Sequence, residues 1–81
     1  MYYVYILQNI KKQTYIGHTQ NLEERLRRHN SGRERYTKNK CPFEIIYKEV
    51  HDTRGEAMMR EKELKQGQGR QWIKDNILKN K

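Results

Sequence analysis

The sequence predicts one α+β domain over residues 1–81, with the element order strand, strand, helix, strand, helix, helix. Three observations carry this prediction. Aromatic and β-branched residues alternate near the N-terminus, two helix-start signals of the capping-box type follow, and neither repeats nor linker-like composition interrupt the 81 residues. Hydrophobic residues make up 33% of the chain and charged residues 35%, so the core must be small.

The first two strands are predicted to form an antiparallel hairpin. Residues 2–8 alternate between two faces, with Tyr3, Tyr5 and Leu7 on one and Tyr2, Val4 and Ile6 on the other. Residues 9–13 are polar and typical of a turn. Residues 14–18 resume a strand-like composition, so they are expected to pair with the first strand.

The first helix and the third strand follow. Asn21 and Glu24 have the spacing of a capping box, and the helix is expected to end before Ser31, which a glycine follows. A basic, irregular segment leads to Pro42, which favours an extended exit into a strand over residues 43–51.

Two helices complete the chain. Thr53 and Glu56 form a second capping box, which predicts a helix through about residue 66. The glycines at 67 and 69 are expected to break it, and residues 70–78 read as a short terminal helix.

The charge balance favours a polyanionic partner. The chain has 18 Lys or Arg against 10 Asp or Glu, a net charge of +8. Each cation that neutralises a phosphate releases condensed counterions, which makes nucleic acid the leading candidate ahead of an anionic membrane. Residues 11–42 carry nine Lys or Arg against three acidic residues, so binding is expected to concentrate in the first half.

The chain shows no sign of membrane insertion or disulfide chemistry. Its apolar runs, such as Val4 to Leu7, are far shorter than the roughly 20 residues of a membrane span, and no signal-peptide pattern opens the sequence. The single Cys41 has no partner for an internal disulfide or a Cys-x-x-Cys site. We expect a cytoplasmic protein.

Polar residues occupy core-facing positions on two predicted helices. His29 falls within the apolar arc that Leu22 and Leu26 define, and Arg25 flanks it. This favours a core-edge histidine beside a solvent-reaching arginine, although a site is the alternative. Glu61 lies on the apolar stripe of the second helix, where an unpaired carboxylate is costly. It should therefore either pair with a base such as Arg25 or bind a metal ion.

Three tyrosines form a second group of candidate site residues. Tyr3, Tyr5 and Tyr15 are expected on adjacent strands, where such residues are usually packing residues. With a pKa near 10, a phenol would need help from a cation or metal-bound water to act as a base. Gly17 is either a strand end or a point where a phosphate approaches the backbone.

The segment between the first helix and the third strand mixes cations with an aromatic residue. It contains Arg33, Arg35, Tyr36, Lys38 and Lys40. Such a mixture suits phosphate contacts and base stacking, and a solvated charge run is the alternative.

These residues carry a resemblance to the GIY-YIG nuclease superfamily. Tyr15-Ile16-Gly17 is the second half of its signature, and Tyr3-Val4-Tyr5 occupies the place of the first half. Arg25 and His29 follow Gly17 by eight and twelve residues, as in this family, and Glu61 takes the place of its metal-binding glutamate. The chain resembles the small stand-alone branch and is similar to the nuclease domain of the bacterial excinuclease.

The resemblance implies a three-stranded antiparallel sheet flanked by helices and hydrolysis of phosphodiester bonds with one divalent ion, Mg²⁺ or Mn²⁺. We expect Glu61 to hold the ion and Arg25 to clamp the scissile phosphate. Either Tyr5 or Tyr15 would accept a proton from water, oriented by His29. The nucleic-acid contacts are expected from Gly17, His18 and the basic segment 33–40.

Two other classes of function stay open at this point. One is a non-catalytic nucleic-acid-binding module that retains the fold, and the other is a protein-interaction adaptor. For the nuclease, DNA is favoured over RNA, with DNA repair or recombination as the setting. Since 81 residues leave no room for a separate recognition domain, we expect weak specificity, a preference for substrate structure, or targeting by a protein partner or a homodimer.

Overall fold

The computed structural model describes residues 1–31 and 42–78 and confirms the predicted order of elements. The strands are β1 (Tyr2–Asn9), β2 (Thr14–Thr19) and β3 (Phe43–His51). The helices are α1 (Leu22–Asn30), α2 (Arg54–Lys65) and α3 (Gly67–Ile73), and α3 continues as a π-helical segment, Lys74–Leu78. No helix within these residues is long and apolar enough to cross a membrane.

The three strands form one antiparallel sheet in the order β2-β1-β3. The register places Gly17 of β2 and Lys48 of β3 on either side of Tyr5 in the central strand. A shift in the pairing of β1 with β3 occurs between Ile6 and Leu7. The antiparallel sheet flanked by helices is therefore as expected.

Helices cover both faces of the sheet, and the alternation predicted for β1 decides which residues each face receives. On one face Tyr5 and Leu7 pack with Leu22 and Leu26 of α1. The opposite face carries the larger cluster, made of Val4, Ile6, Ile16, Ala57 and Leu64 with Ile73 of α3. Because successive strand residues point to opposite faces, one alternating sequence supplies both layers of the core.

The N-cap residue of each predicted capping box caps its helix, while the N–H of Asn21 donates to Thr19 Oγ1 at 3.1 Å and not to Glu24. The side chain of Asn21 accepts a hydrogen bond from the backbone N–H of Glu24 at 3.1 Å, and Thr53 does the same for Glu56 at 3.2 Å. Each cap satisfies an N–H group that has no partner inside its helix.

The predicted break at residues 67–69 is wrong. Gly67 and Gly69 lie in the first turns of α3, and the interruption is confined to Gln66, whose backbone is extended with φ −88° and ψ 169°. The terminal helix also ends in a π-helical turn. Asn76 in this turn is exposed, and its side-chain amide donates to the carbonyl of Trp72 at 2.9 Å.

Several predicted residues lie outside the described part of the chain. These are the proposed nucleic-acid contacts Arg33, Arg35, Tyr36, Lys38 and Lys40, together with Cys41.

A carboxylate network ties α2 to strand β3. Glu49 accepts hydrogen bonds from Tyr47 Oη at 2.6 Å, His51 Nε2 at 2.7 Å and Arg60 Nε at 3.0 Å. The guanidinium of Arg60 also lies over the ring of Trp72, 4.9 Å from its centroid. Burial acts to raise the pKa of Glu49, but these hydrogen bonds and the charge of Arg60 outweigh burial and hold that pKa below its usual range.

Glu49→Gln is expected to destabilise the fold by about 2 kcal/mol at pH 7, because charge-assisted hydrogen bonds are lost. The folded-state pKa lies below the ordinary value of 4.5, so the ionised carboxylate stabilises the protein above about pH 4.5. This contribution disappears as the pH falls through the folded-state pKa. Urea unfolding at pH 7 and pH 3 should therefore show the difference between wild type and Glu49→Gln shrinking in acid.

Glu44→Gln is the matched control, since Glu44 lies exposed on the same strand. It should change the unfolding free energy by less than about 0.5 kcal/mol. Equal losses in the two variants would show that general charge on β3, and not this network, is responsible.

Candidate functional site

Two tyrosines and a histidine meet on the sheet face that α1 covers. Tyr5 Oη lies 3.3 Å from His29 Nε2, and the ring centroids of Tyr15 and His29 are 4.7 Å apart. The rings of Tyr5 and Tyr15 are separated by 6.4 Å. His29 is fully buried and Tyr5 is 1% exposed, so this aromatic cluster is part of the core as well as a candidate site.

The secondary structure explains this meeting. Tyr5 and Tyr15 lie on adjacent strands, and both contribute to the same side of the sheet. His29 lies in the last turn of α1, on the side that packs against the sheet. Tyr5 and His29 therefore have the packing role that the sequence offered as one alternative, and they are also the candidates for a chemical role.

Gly17 marks a close approach of a side chain to the backbone of β2. A Cβ atom at this position would lie 2.6 Å from Tyr5 Oη and 2.9 Å from Tyr5 Cζ. Real Cβ atoms essentially never come so close to another heavy atom, and the Tyr5 ring is buried and has little freedom to move. Glycine at position 17 thus allows the phenol of Tyr5 to pass over the neighbouring strand.

Glu61 projects from α2, and its two carboxylate oxygens contact His18 and Lys65. Its Oε1 lies 2.5 Å from His18 Nδ1, and its Oε2 accepts a hydrogen bond from Lys65 Nζ at 2.6 Å. The expectation that this carboxylate pairs with a base is met, but the partners are His18 and Lys65 and not Arg25. The register of the hairpin explains His18, since it stands opposite Val4, which packs in the cluster shared with α2.

The carboxyl group of Glu61 is held in its charged form. Burial acts to raise its pKa, yet the hydrogen bonds from His18 and Lys65 and their charges outweigh this effect and lower the pKa below its usual range. The Glu61 side chain is 20% exposed, so an ionised oxygen pair borders solvent. A cation or a hydrogen-bond donor can reach it.

Arg25 lines a polar cleft of about 480 Å³ at the end of β2. The cleft also contains His18, Arg28 and Arg54, with Glu24 as an acidic member. Several guanidinium groups around one cleft favour an anionic ligand such as a phosphate, because their fork of donors matches its oxygens. His18 lines this cleft and a second pocket of about 350 Å³ that contains Glu61.

The predicted residues therefore form three neighbouring groups, which are the aromatic cluster, Glu61 with its partners, and the Arg25 cleft. Strand β2 contributes a residue to each. Tyr15 and Gly17 belong to the aromatic cluster, and His18 links Glu61 to the Arg25 cleft. Three further residues of the site were not predicted from the sequence, namely Lys65, Arg28 and Arg54. The spacing of four residues between Glu61 and Lys65 on one helix was the signal that could have found Lys65.

The donor set at Glu61 fits one hard divalent ion. Among the described residues, no group of three or more His, Cys, Asp and Glu side chains is placed to hold a metal. An ion such as Mg²⁺ keeps most of its waters and is commonly held by one or two carboxylates with substrate phosphates, so a single ionised glutamate is sufficient. Lys65 is half exposed and can leave the carboxylate towards solvent.

Comparisons with known proteins agree with the resemblance seen in the sequence. The family model of the GIY-YIG catalytic domain matches residues 1–74. A UPF0213 protein of Oceanobacillus iheyensis is 41% identical over 66 residues, covering 80% of this chain and 77% of the relative. A UPF0213 protein of Clostridium perfringens is 37% identical over 83 residues, covering 98% of this chain and 89% of the relative.

A solved structure is also similar. The solution NMR structure of a UPF0213 protein from Bacillus halodurans has a TM-score of 0.54 and 30% sequence identity, covering 90% of this chain and 82% of the other. Nuclease activity and a nucleic-acid partner are what the matching domain indicates. The chain belongs to the GIY-YIG catalytic domain family.

Proposed function

We propose that this protein is a metal-dependent endonuclease that hydrolyses phosphodiester bonds of nucleic acid, with DNA favoured over RNA. The observation that carries the proposal is the arrangement around Gly17 and His18 of β2. The buried Tyr5–His29 hydrogen bond lies on one side of this strand, and the His18–Glu61 pair on the other. Hydrolysis needs a proton acceptor and groups that bind the phosphate and the metal ion, and residues of β2 contact candidates for each.

Arg25 is proposed to clamp the scissile phosphate. It shares its cleft with Arg28 and Arg54, so several guanidinium groups face one anion. Such donors stabilise negative charge on the phosphoryl oxygens as it develops, which lowers the barrier.

Tyr15 is proposed to contact the attacking water. It is partly exposed, whereas Tyr5 is buried beneath it. His29 contacts both rings, with a hydrogen bond to Tyr5 and a ring contact to Tyr15. We infer that Tyr5 and His29 fix the orientation of Tyr15 and provide a route for its proton.

Glu61 would hold the metal ion, Mg²⁺ or Mn²⁺, with its ionised carboxylate. When bound, such an ion supplies positive charge for the phosphate oxygens and acidifies its coordinated water. His18 holds Glu61 Oε1 at the boundary between the two pockets, which keeps the carboxylate close to the Arg25 cleft.

One observation favours the alternative of a non-catalytic nucleic-acid-binding module. Both carboxylate oxygens of Glu61 are engaged by protein side chains, His18 and Lys65, and a metal ion must compete with them. If Lys65 and His18 hold the carboxylate too firmly, the domain binds nucleic acid without cleaving it.

A cleavage assay separates the two functions. Fluorescent single-stranded, nicked and branched DNA would be incubated with the protein and Mg²⁺, Mn²⁺ or a chelator. Arg25→Ala is expected to lower cleavage about 100-fold, because the phosphate loses a charged contact in the transition state. Arg27→Ala, an exposed arginine of the same helix, is the control and should cleave like wild type.

Binding without cleavage across all substrates and ions would support the non-catalytic module. Equal cleavage by Arg25→Ala and Arg27→Ala would contradict the proposed phosphate clamp. The single cysteine supports a cytoplasmic setting, and the likeness to the nuclease domain of the bacterial excinuclease supports a role in DNA repair or recombination.

A further inference from the structure

A second groove lies between β2 and α3, apart from the Arg25 cleft. This β2–α3 groove has a volume of about 660 Å³ and is lined by residues of both elements, the end of α2 and the π-helical segment. Its cations are Lys65, Arg70 and Lys74, and none of its described lining residues is acidic. The groove was not predicted from the sequence, where these cations are scattered over ten residues.

One of these cations is positioned by a backbone contact. Arg70 Nε donates to the backbone carbonyl of Lys65 at 3.1 Å, which keeps the Arg70 guanidinium beside the end of α2. Lys74 is exposed in the segment that follows α3. Three positive side chains that line one groove complement a chain of phosphates.

Apart from Thr14, the rest of the lining is aromatic or aliphatic. It consists of Tyr15, Ile16, Ile73 and Leu78. A regular duplex presents phosphates and base edges to a protein and keeps its base faces stacked inside. An apolar floor beside cations is instead complementary to unpaired nucleotides, whose base faces are free to leave water.

Tyr15 lies both in this groove and in the aromatic cluster. A strand seated in the groove therefore reaches the ring that we assign to the attacking water. Lys65 likewise lines the groove and pairs with Glu61, so one end of the groove borders the candidate metal ligand.

We propose that the β2–α3 groove binds an unpaired strand of nucleic acid and delivers it to Tyr15, so that the substrate contains a single-stranded segment. This inference rests on the proposed nuclease function. The phosphates contact Lys65, Arg70 and Lys74, and the bases cover the apolar floor.

The test measures binding without metal by fluorescence anisotropy. The probes are a single-stranded DNA 12-mer, a blunt duplex of the same length and a 12-mer of abasic nucleotides. The double variant Arg70→Glu with Lys74→Glu is compared with Arg27→Glu with Lys48→Glu, which makes the same charge change at exposed sites away from the groove.

The groove variant is expected to bind the single strand at least about tenfold more weakly, and the control variant less than about threefold more weakly. The slope of log affinity against log salt should fall by about 1.4, since each lost single-strand phosphate contact contributes about 0.7. Wild type should prefer the single strand to both the duplex and the abasic strand. Thermal unfolding would check that both variants fold.

Lys74→Glu alone provides a second variant, because Arg70 also bonds to the backbone of Lys65. It should produce about half of the slope change. Equal weakening by groove and control variants, or equal affinity of wild type for the three probes, would overturn the inference.

Failure of this inference is distinguishable from failure of the nuclease proposal. Metal-dependent cleavage with unchanged single-strand binding in the groove variant would reject the groove and retain the nuclease. Loss of binding in that variant, with no cleavage by wild type on any substrate, would retain the groove as a binding site for unpaired nucleic acid. The proposed link between the groove and cleavage would then be lost.

Discussion

Glu61→Ala is expected to reduce Mg²⁺-dependent cleavage by about a thousandfold. The variant removes the ionised carboxylate proposed to hold the metal, and metal-derived charge stabilisation amounts to several kcal/mol, with about 1.4 kcal/mol for each tenfold change in rate. The substitution also removes the contacts of Glu61 with His18 and Lys65, so thermal unfolding would check that the variant is folded at the assay temperature. The rate would be measured on the best substrate from the panel, with identically prepared proteins.

Glu63→Ala is the matched control for Glu61→Ala. It removes a carboxylate two residues further along α2, where Glu63 is 62% exposed and lies 3.6 Å from Arg60. Cleavage by Glu63→Ala should equal that of wild type. Full activity in Glu61→Ala would reject Glu61 as the metal ligand, whereas equal losses in the two variants would point to a general effect of charge on α2.

Gly69→Ala is expected to lower the free energy of unfolding by about 3 kcal/mol. A Cβ atom at this position would overlap the carbonyl oxygen of Glu63 and lie 2.5 Å from Leu64 Cα. These are backbone atoms of α2, so no side-chain rotation can relieve the clash. Leu64 is fully buried, and a shift of α3 would also displace Ile73 from the same core cluster.

Gly67→Ala tests whether the effect is specific to that contact. Gly67 is in the same helix, and an added Cβ would meet nothing within 4 Å. Because alanine is the better helix former, this variant should be neutral or more stable by up to about 1 kcal/mol. Urea unfolding at neutral pH measures both. A stable Gly69→Ala protein would show that α2 and α3 can separate at little cost.

The sequence predicted most of the secondary structure because its signals are local. The alternation in residues 2–8 assigned β1 residues to the two faces of the sheet, and each predicted N-cap residue marks a helix start through one side-chain hydrogen bond. Such features depend on neighbours within four residues, and distant parts of the chain did not override them here.

The start of α3 was not predicted correctly from such local signals. Glycines are poor helix formers, so Gly67 and Gly69 were read as a break. In the structure, Gly69 instead allows the backbone of α3 to touch that of α2. This demand comes from tertiary packing, which propensity does not contain.

The residues of the candidate site were also predictable only in part. The helical wheels and the family resemblance identified His29 and Glu61 as unusual, and the structure places both close to β2. The partners of Glu61 were predictable only in part. Lys65 follows from spacing along one helix, whereas His18 depends on the hairpin register and on how α2 packs across the sheet.

Because Tyr5 packs so closely against Gly17, the residue types that the fold tolerates at positions 5 and 17 depend on each other. A side chain at position 17 collides with the Tyr5 phenol, so the cost of adding one depends on what occupies position 5. The order of substitutions then matters. If the side chain at position 17 is enlarged first, the resulting protein is strained. If the side chain at position 5 is shortened first, there is room at position 17, but the hydroxyl that contacts His29 is lost. The two residues are consequently difficult to exchange one at a time, and each restricts which replacements the other can accept.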